Sequence, residues 1–146
     1  MIFVDTGFFF ALSAIEEKDR HRQARKLLET LEDQTLSDVL ITTDHIVMET
    51  LTLIQTTVTR NAHARAVRVG QQLYREKLAR IHRTTFEEQL AAFAYLQKHE
   101  DKGYSAVDCL SFVVMLKLGI QEAWTFDDHF SHRFIARPGP PPRQAP

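Results

Sequence analysis

Residues 2–7 read "IFVDTG": two β-branched residues around an aromatic, one carboxylate, then a Thr-Gly turn signal. A short apolar run of this kind predicts a buried strand ending near Asp5, and the residues after the turn predict a helix. A strand feeding directly into a helix is how an α/β chain begins. Asp5 also interrupts about a dozen apolar or small residues, "MIFVDTGFFFAL". A carboxylate desolvated in such a run costs several kcal/mol unless a partner or a metal ion compensates it.

Working outward, "RQARKLLETLE" places Ala24, Leu27, Leu28 and Leu31 at the spacing of an amphipathic surface helix. "VLITT" predicts a second strand over residues 39–42, after which Thr43 or Asp44 caps a helix with Val47, Leu51, Ile54 and Val58 on one face. Ala62, Ala66, Val69 and Leu73 mark another helix, "LARIH" is a strand candidate, and Phe86, Leu90 and Phe93 mark the next helix. "YSAVDCLSFVVMLKLG" predicts a helix from an N-cap at Ser105 to a stop at Gly119. It is apolar nearly all round, so it is expected to be central and buried. "EAWTF" predicts a strand running into Asp127, with Trp124 packing the sheet. Strands alternating with helices point to an α/β fold, a three-layer sandwich with a mainly parallel central sheet flanked by helices. The domain is expected to span residues 1–137. The tail "RPGPPPRQAP" holds all five prolines and is expected to form neither ladder nor helix, leaving 138–146 as a Pro-rich, disordered end.

With 146 residues, 44% of them hydrophobic and 25% charged, the chain fits one globular domain able to bury most of its apolar surface. A single cysteine, Cys109, excludes a disulfide framework or cysteine-rich zinc site, and in the apolar helix it reads as a small core residue. A reducing cytoplasm is the expected compartment. The first basic residue is Lys18, and Asp5 precedes "FFFAL", the reverse of an export signal. Even "AVDCLSFVVMLKLGI" carries Asp108 and Lys117, so no membrane span is expected.

The net charge of -1 hides an asymmetry. Arg60, Arg65, Arg68, Arg75, Lys77, Arg80 and Arg83 stand against the single acid Glu76 between residues 60 and 83, leaving 11 basic and 18 acidic side chains elsewhere. A basic segment on an acidic body is expected when one face meets phosphates and another gathers carboxylates; it also describes a solvated helix face. His21, among Arg20, Arg22 and Arg25, has the same two readings.

In open parallel sheets, ligands bind just outside the carboxyl ends of the strands. Two strands here run into an aspartate at that end, so Asp5 and Asp127 are expected to face one crevice. Glu49 within "HIVMETLTLI" and Asp108 within the apolar helix are both easier to explain as members of the same cluster. Each has a purely structural reading: Asp5 and Asp127 as helix caps, Asp108 as the acid of a capping box with Ser105, Glu49 turned to solvent. Four carboxylates in one crevice raise one another's pKa, a conflict that a divalent cation removes. An all-oxygen donor set selects Mg²⁺ or Mn²⁺ over zinc, and such an ion beside phosphate implies metal-assisted attack of water on a phosphodiester. His129 and His132 share one helix face but lie in no HExxH pattern and have no cysteine partner, so they are not read as a zinc site.

At these residues the chain resembles the PIN-domain ribonucleases, and within them the VapC-type toxins of toxin-antitoxin pairs. The resemblance rests on "FVDTGFFFAL", "DRHRQA", "TTDHIVMETLTL", "YSAVDCLSFVVM" and "TFDDHF", in the family's order over residues 1 to about 135. It implies endonucleolytic cleavage of RNA by Asp5, Glu49, Asp108 and Asp127 holding one or two Mg²⁺ or Mn²⁺ ions, with Thr6, Ser105 and Thr125 in support. Asp127 rather than Asp128 matches the family's fourth acid. Arg60, Arg65, Arg68 and Arg75 are the candidates for contacting RNA. The resemblance further implies a cognate antitoxin and a homodimer. The competing readings are a housekeeping RNA-processing nuclease and a noncatalytic RNA-binding protein of the same fold. A receiver-like signalling domain also gathers aspartates around Mg²⁺, but its phosphoacceptor Asp and late Lys are missing after "LARIH" and "AWTF".

Overall fold

The structure, a computed structural model, describes residues 1–139. Five strands form one parallel sheet: β1 (Ile2–Val4), β2 (Leu40–Thr43), β3 (Arg80–His82), β4 (Glu122–Thr125) and β5 (Ile135–Pro138), in the order β3-β2-β1-β4-β5. Helices α1 (Thr6–Ser13) and α2 (Lys18–Glu29) and a single turn, α3 (Leu36–Val39), separate β1 from β2. Between β2 and β3 come α4 (Asp44–Thr57) and α5 (Ala62–Tyr74), and between β3 and β4 come α6 (Phe86–Lys98) and α7 (Ala106–Leu118). The chain steps from β1 to β2 to β3 in one direction, then returns to place β4 on the other side of β1. Right-handed crossovers put helices on opposite faces when the direction of travel reverses. The packing agrees: α1 lies against α2 and α4, and α4 against α5, while α6 packs on α7.

The two strands that flank "IFV" explain its composition. β1 is central, paired with β2 through Ile2 and Phe3 and with β4 through Ile2, Phe3 and Val4. A strand covered on both faces reads as a continuous apolar run. Phe3, Val4, Phe8, Phe112, Trp124 and Phe130 are all buried; Trp124 meets Phe8 at 5.1 Å and Phe112 meets Phe130 edge-on at 5.0 Å. Each such side chain contributes on the order of 2–3 kcal/mol by its burial.

Helix ends follow the local chemistry. Thr43 accepts a hydrogen bond from the Ile46 N–H at the start of α4, and Thr85 and Ser105 each begin a full capping box, with Glu88 and Asp108. Gly119 ends α7 at φ +67°, the left-handed region open to glycine.

Three expectations need correction. The second strand is Leu40–Thr43, because residues 36–39 form α3. β5 is an additional strand, and it includes Arg137 and Pro138 from the tail expected to form no ladder: Pro138 pairs with Thr125. Proline is tolerated there because β5 is an edge strand and Pro138 is its last residue. Residues 140–146, the rest of the proposed tail, lie outside the described residues. Phe86, Leu90 and Phe93 do mark α6, but as its outer face, 72%, 53% and 57% exposed. The buried side of α6 is instead Glu88 and Ala92. Trp124 packs in the core as expected, and Cys109 is buried.

Candidate active site

The reversal of strand order between β1 and β4 opens a crevice at their carboxyl ends, where ligands bind in folds of this type. Asp5 follows β1, and Asp127 stands two residues beyond β4. Asp5 is 6% exposed, and although it occupies the N-cap position of α1 its carboxylate makes no capping bond. Instead its Oδ2 accepts a hydrogen bond from Thr125 Oγ1 at 2.9 Å, and the same hydroxyl oxygen accepts the Asp127 backbone N–H at 2.9 Å. Thr125, fully buried, thus ties the two strand ends together.

Glu49 reaches the site from α4, half-buried; its Oε1 accepts from Thr6 Oγ1 at 2.6 Å, which couples it to the residue beside Asp5. Asp108 comes from the first turn of α7. Its Oδ2 accepts the Ser105 N–H at 3.0 Å, so the capping box is real, and Oδ1 is left without a protein hydrogen bond among the described residues. Asp127 Oδ1 accepts the His129 N–H at 2.9 Å, which makes Asp127 a cap as well. Capping orients these two acids into the crevice rather than removing them from it.

The structure therefore brings Asp5 within reach of the charges of Asp108 and Asp127, links Glu49 to them only through Thr6, and places Thr6, Ser105 and Thr125 as hydrogen-bond partners of Glu49, Asp108 and Asp5. His129, one of the histidine pair not read as a zinc site, joins them. His129 Nδ1 lies 3.3 Å from Asp108 Oδ2 and 3.3 Å from Asp127 Oδ1, so one imidazole bridges two acids that are 19 positions apart in sequence. One ligand atom from each of the three falls within 4.8 Å of the others. The only sequence signal was its place two residues after Asp127.

The electrostatics are unbalanced without a cation. Burial pushes Asp5 up to about 7; the hydrogen bonds from Thr125 and the Thr6 backbone oppose this, and the charges of Asp108 and Asp127 add to it. Among the described residues no Lys or Arg pairs with any of the four acids; the sole partner with a possible positive charge is His129. Glu49 Oε2, Asp108 Oδ1 and Asp127 Oδ2 accept no protein hydrogen bond there. Hard oxygen donors with uncompensated negative charge fit a Mg²⁺ or Mn²⁺ ion.

The basic residues lie elsewhere. Arg65 and Arg68 line a cleft between α5, α2 and the C-terminal half of α1, and Arg75 lines a different groove between α4 and α5. Arg65 is taken up by Glu16, at 2.8 and 3.0 Å, and Arg60 is exposed before α5. His21 hydrogen-bonds the Ala11 carbonyl through Nδ1 at 2.9 Å, a link between α2 and α1. Burial and then Asp108 push the Cys109 thiol up, which leaves it unreactive.

A PIN domain family model matches residues 2–133. The 23S rRNA-specific endonuclease VapC20 of Mycobacterium tuberculosis, from strains CDC 1551 / Oshkosh and ATCC 25618 / H37Rv, is 34% identical over 131 residues, covering 90% of this chain and 92% of that protein. The crystal structure of Mycobacterium tuberculosis VapC20, described as a Sarcin-Ricin loop cleaving toxin, superposes with a TM-score of 0.77 at 33% identity, over 90% of this chain and 94% of that one. With Asp5 after β1 feeling the charges of Asp108 and Asp127 at the switch point, and these matches over nine-tenths of its length, the chain belongs to the PIN domain family.

Proposed function

We propose that this protein is a divalent-metal-dependent endoribonuclease that hydrolyses RNA phosphodiester bonds, and that it acts as the toxin of a toxin-antitoxin pair. The observation that carries the chemistry is Asp5: a buried carboxylate pushed up to about 7, with two further acids beside it and no Lys or Arg partner among the described residues. Asp5, Glu49, Asp108 and Asp127 are the proposed holders of Mg²⁺ or Mn²⁺. When bound, such an ion supplies Lewis acidity at the scissile phosphate and a more acidic water.

The chain's own residues do the rest. Thr125 fixes the Asp5 carboxylate and the backbone of Asp127 with one hydroxyl, and Thr6 fixes Glu49, so the free oxygens keep their directions before substrate arrives. Ser105 holds Asp108 at the first turn of α7, where the helix dipole favours its charge. No side-chain nucleophile is needed, in keeping with a buried and unreactive Cys109. Arg60, Arg65, Arg68 and Arg75 are proposed as an outer surface for phosphate contact, with Arg65 the weakest member because Glu16 already neutralises it.

The similarity to VapC20 makes 23S ribosomal RNA the first substrate to test and supports an antitoxin partner; a homodimer acting in the cytoplasm completes the proposal. Among the described residues no helix is long and apolar enough to cross a membrane. The test is cleavage of purified 23S rRNA with and without EDTA, beside Asp5→Asn. Metal-dependent cutting lost in the variant supports the proposal; cutting in EDTA, or full activity in the variant, overturns the mechanism. A small antitoxin reading frame directly upstream, whose product blocks cleavage, supports the toxin assignment over a housekeeping nuclease.

A further inference from the structure

A second cleft adjoins the acids on the side of the 3-10 turn Asp128–His132. Its volume is about 290 Å³, and Tyr95, His99, Lys102, Tyr104, His132 and Arg133 line it. Tyr104 forms its inner wall: the ring is 7% exposed, packs edge-on against Phe112 at 5.1 Å, and meets His129 at 5.2 Å with an interplanar angle of 83°. Since His129 touches both Asp108 and Asp127, a single imidazole separates this cleft from the carboxylates.

The charge here is opposite to that of the crevice. Arg133 is exposed, its Nη1 donates to the Tyr95 hydroxyl at 3.0 Å, and it has no carboxylate partner among the described residues. Lys102 has only its neighbour Asp101, at 3.7 Å with both side chains open to water. The Tyr104 hydroxyl meets His132 Nδ1 at 2.9 Å. This bond fixes the orientation of the His132 ring, which is otherwise exposed, and burial pushes the Tyr104 phenol up. An arginine with no acid partner among the described residues, a lysine whose one acid neighbour is open to water, and an oriented imidazole around aromatic walls form a surface suited to the phosphate and ring of an unpaired nucleotide. Arg65, already neutralised by Glu16 and part of a different cleft, lacks these properties.

Resting on the endoribonuclease reading, we propose that this cleft is a substrate subsite: it holds the nucleotide next to the scissile phosphate in a single-stranded or looped segment of RNA. Arg133 and Lys102 contact its backbone phosphate, and the His132 ring, oriented by Tyr104, hydrogen-bonds phosphate or base. These are binding contacts, so they operate without metal and without turnover.

The experiment measures binding of a short, unstructured, fluorescein-labelled RNA oligonucleotide to the full chain in EDTA by anisotropy, over a series of salt concentrations. Arg133→Ala is expected to weaken binding about tenfold and to lower the salt slope by about 1, and Tyr104→Phe to weaken binding severalfold with the slope unchanged. Arg133→Lys is expected to restore the slope but not the full affinity. Mn²⁺ binding by calorimetry and the melting temperature of Arg133→Ala are expected to match the parent protein. Unchanged affinity and slope in Arg133→Ala overturns the proposal, as does a slope carried entirely by Arg68→Ala. Loss of Mn²⁺ binding together with RNA binding also overturns it, because the effect then comes from disturbed acids. Failure of the nuclease reading shows separately, as a parent protein that binds RNA in EDTA but never cuts it with metal.

Discussion

Replacing Asp5 by asparagine should stabilise the metal-free protein above neutral pH while abolishing cleavage. In the fold, burial first, and then Asp108 and Asp127, push the Asp5 carboxyl up to about 7 from its ordinary 3.8. The folded state therefore keeps a proton that the unfolded chain has released, and stability falls as pH rises from about 4 to about 7. The gap corresponds to at most ~4 kcal/mol at pH 8. An asparagine in its place would have no proton to lose, and its carbonyl oxygen can still accept from Thr125. In EDTA at pH 8 the variant should melt roughly 10 °C above the parent protein, and at pH 4 the two should nearly coincide. Millimolar Mn²⁺ should then raise the melting temperature of the parent protein and leave the variant almost unmoved, since the ion binds the folded state through this carboxylate. Thermal melts followed by circular dichroism at both pH values, with and without metal, read all four numbers. A variant less stable than the parent in EDTA by the same amount at pH 4 and pH 8 would refute the reasoning, because Asp5 would then be a satisfied structural acid.

Thr125→Val should cost about 1–3 kcal/mol in chemical denaturation and reduce cleavage at least tenfold, because it strands the buried Asp5 Oδ2 and the Asp127 N–H together. His129→Ala should weaken Mn²⁺ binding about tenfold by calorimetry with little change in melting temperature, as expected for a half-exposed partner that orients two ligand carboxylates. Glu88, buried between α6 and α7, concerns stability alone. Its burial raises it, but the hydrogen bonds from Lys117 at 2.7 Å, the Thr85 N–H and His82 outweigh that and hold it at about 2. Its contribution is present above pH 4.5 and lost as pH falls toward 2, so Glu88→Gln should cost about 2 kcal/mol at pH 7 and flatten the acid limb of the stability curve.

The parts of this molecule written locally were legible. "IFV" is apolar because β1 is covered on both faces, and the cap at Thr43, the box at Ser105 and the stop at Gly119 each declare themselves within four residues. The four acids were legible because a carboxylate in an apolar context is costly and needs a reason. What stayed hidden depends on partners far away in sequence. Phe86, Leu90 and Phe93 announce a helix, but periodicity alone does not say that Glu88 and Ala92 take the inner side. β5 pairs only along one edge, where proline does no harm, so the tail's composition misled. Arg65 reads as a free cation until folding brings Glu16 to it across 49 positions. His129 looks like half of a histidine pair until α7 supplies Asp108.

The bond between Thr125 and Asp5 closes a loop of 120 residues. β1 leaves the ribosome before its neighbours and receives β2 early, yet its other neighbour, β4, is translated long after β2. At about 5–20 residues per second, the nascent chain spends several seconds with Asp5 made and its partners not yet synthesised. The proposed metal centre cannot assemble before Asp127 is made, and a truncated product ending before Glu122 carries Asp5, Glu49 and Asp108 but not the rest of that site. Translation order alone thus delays any harm this protein does until β4 and Asp127 have been made.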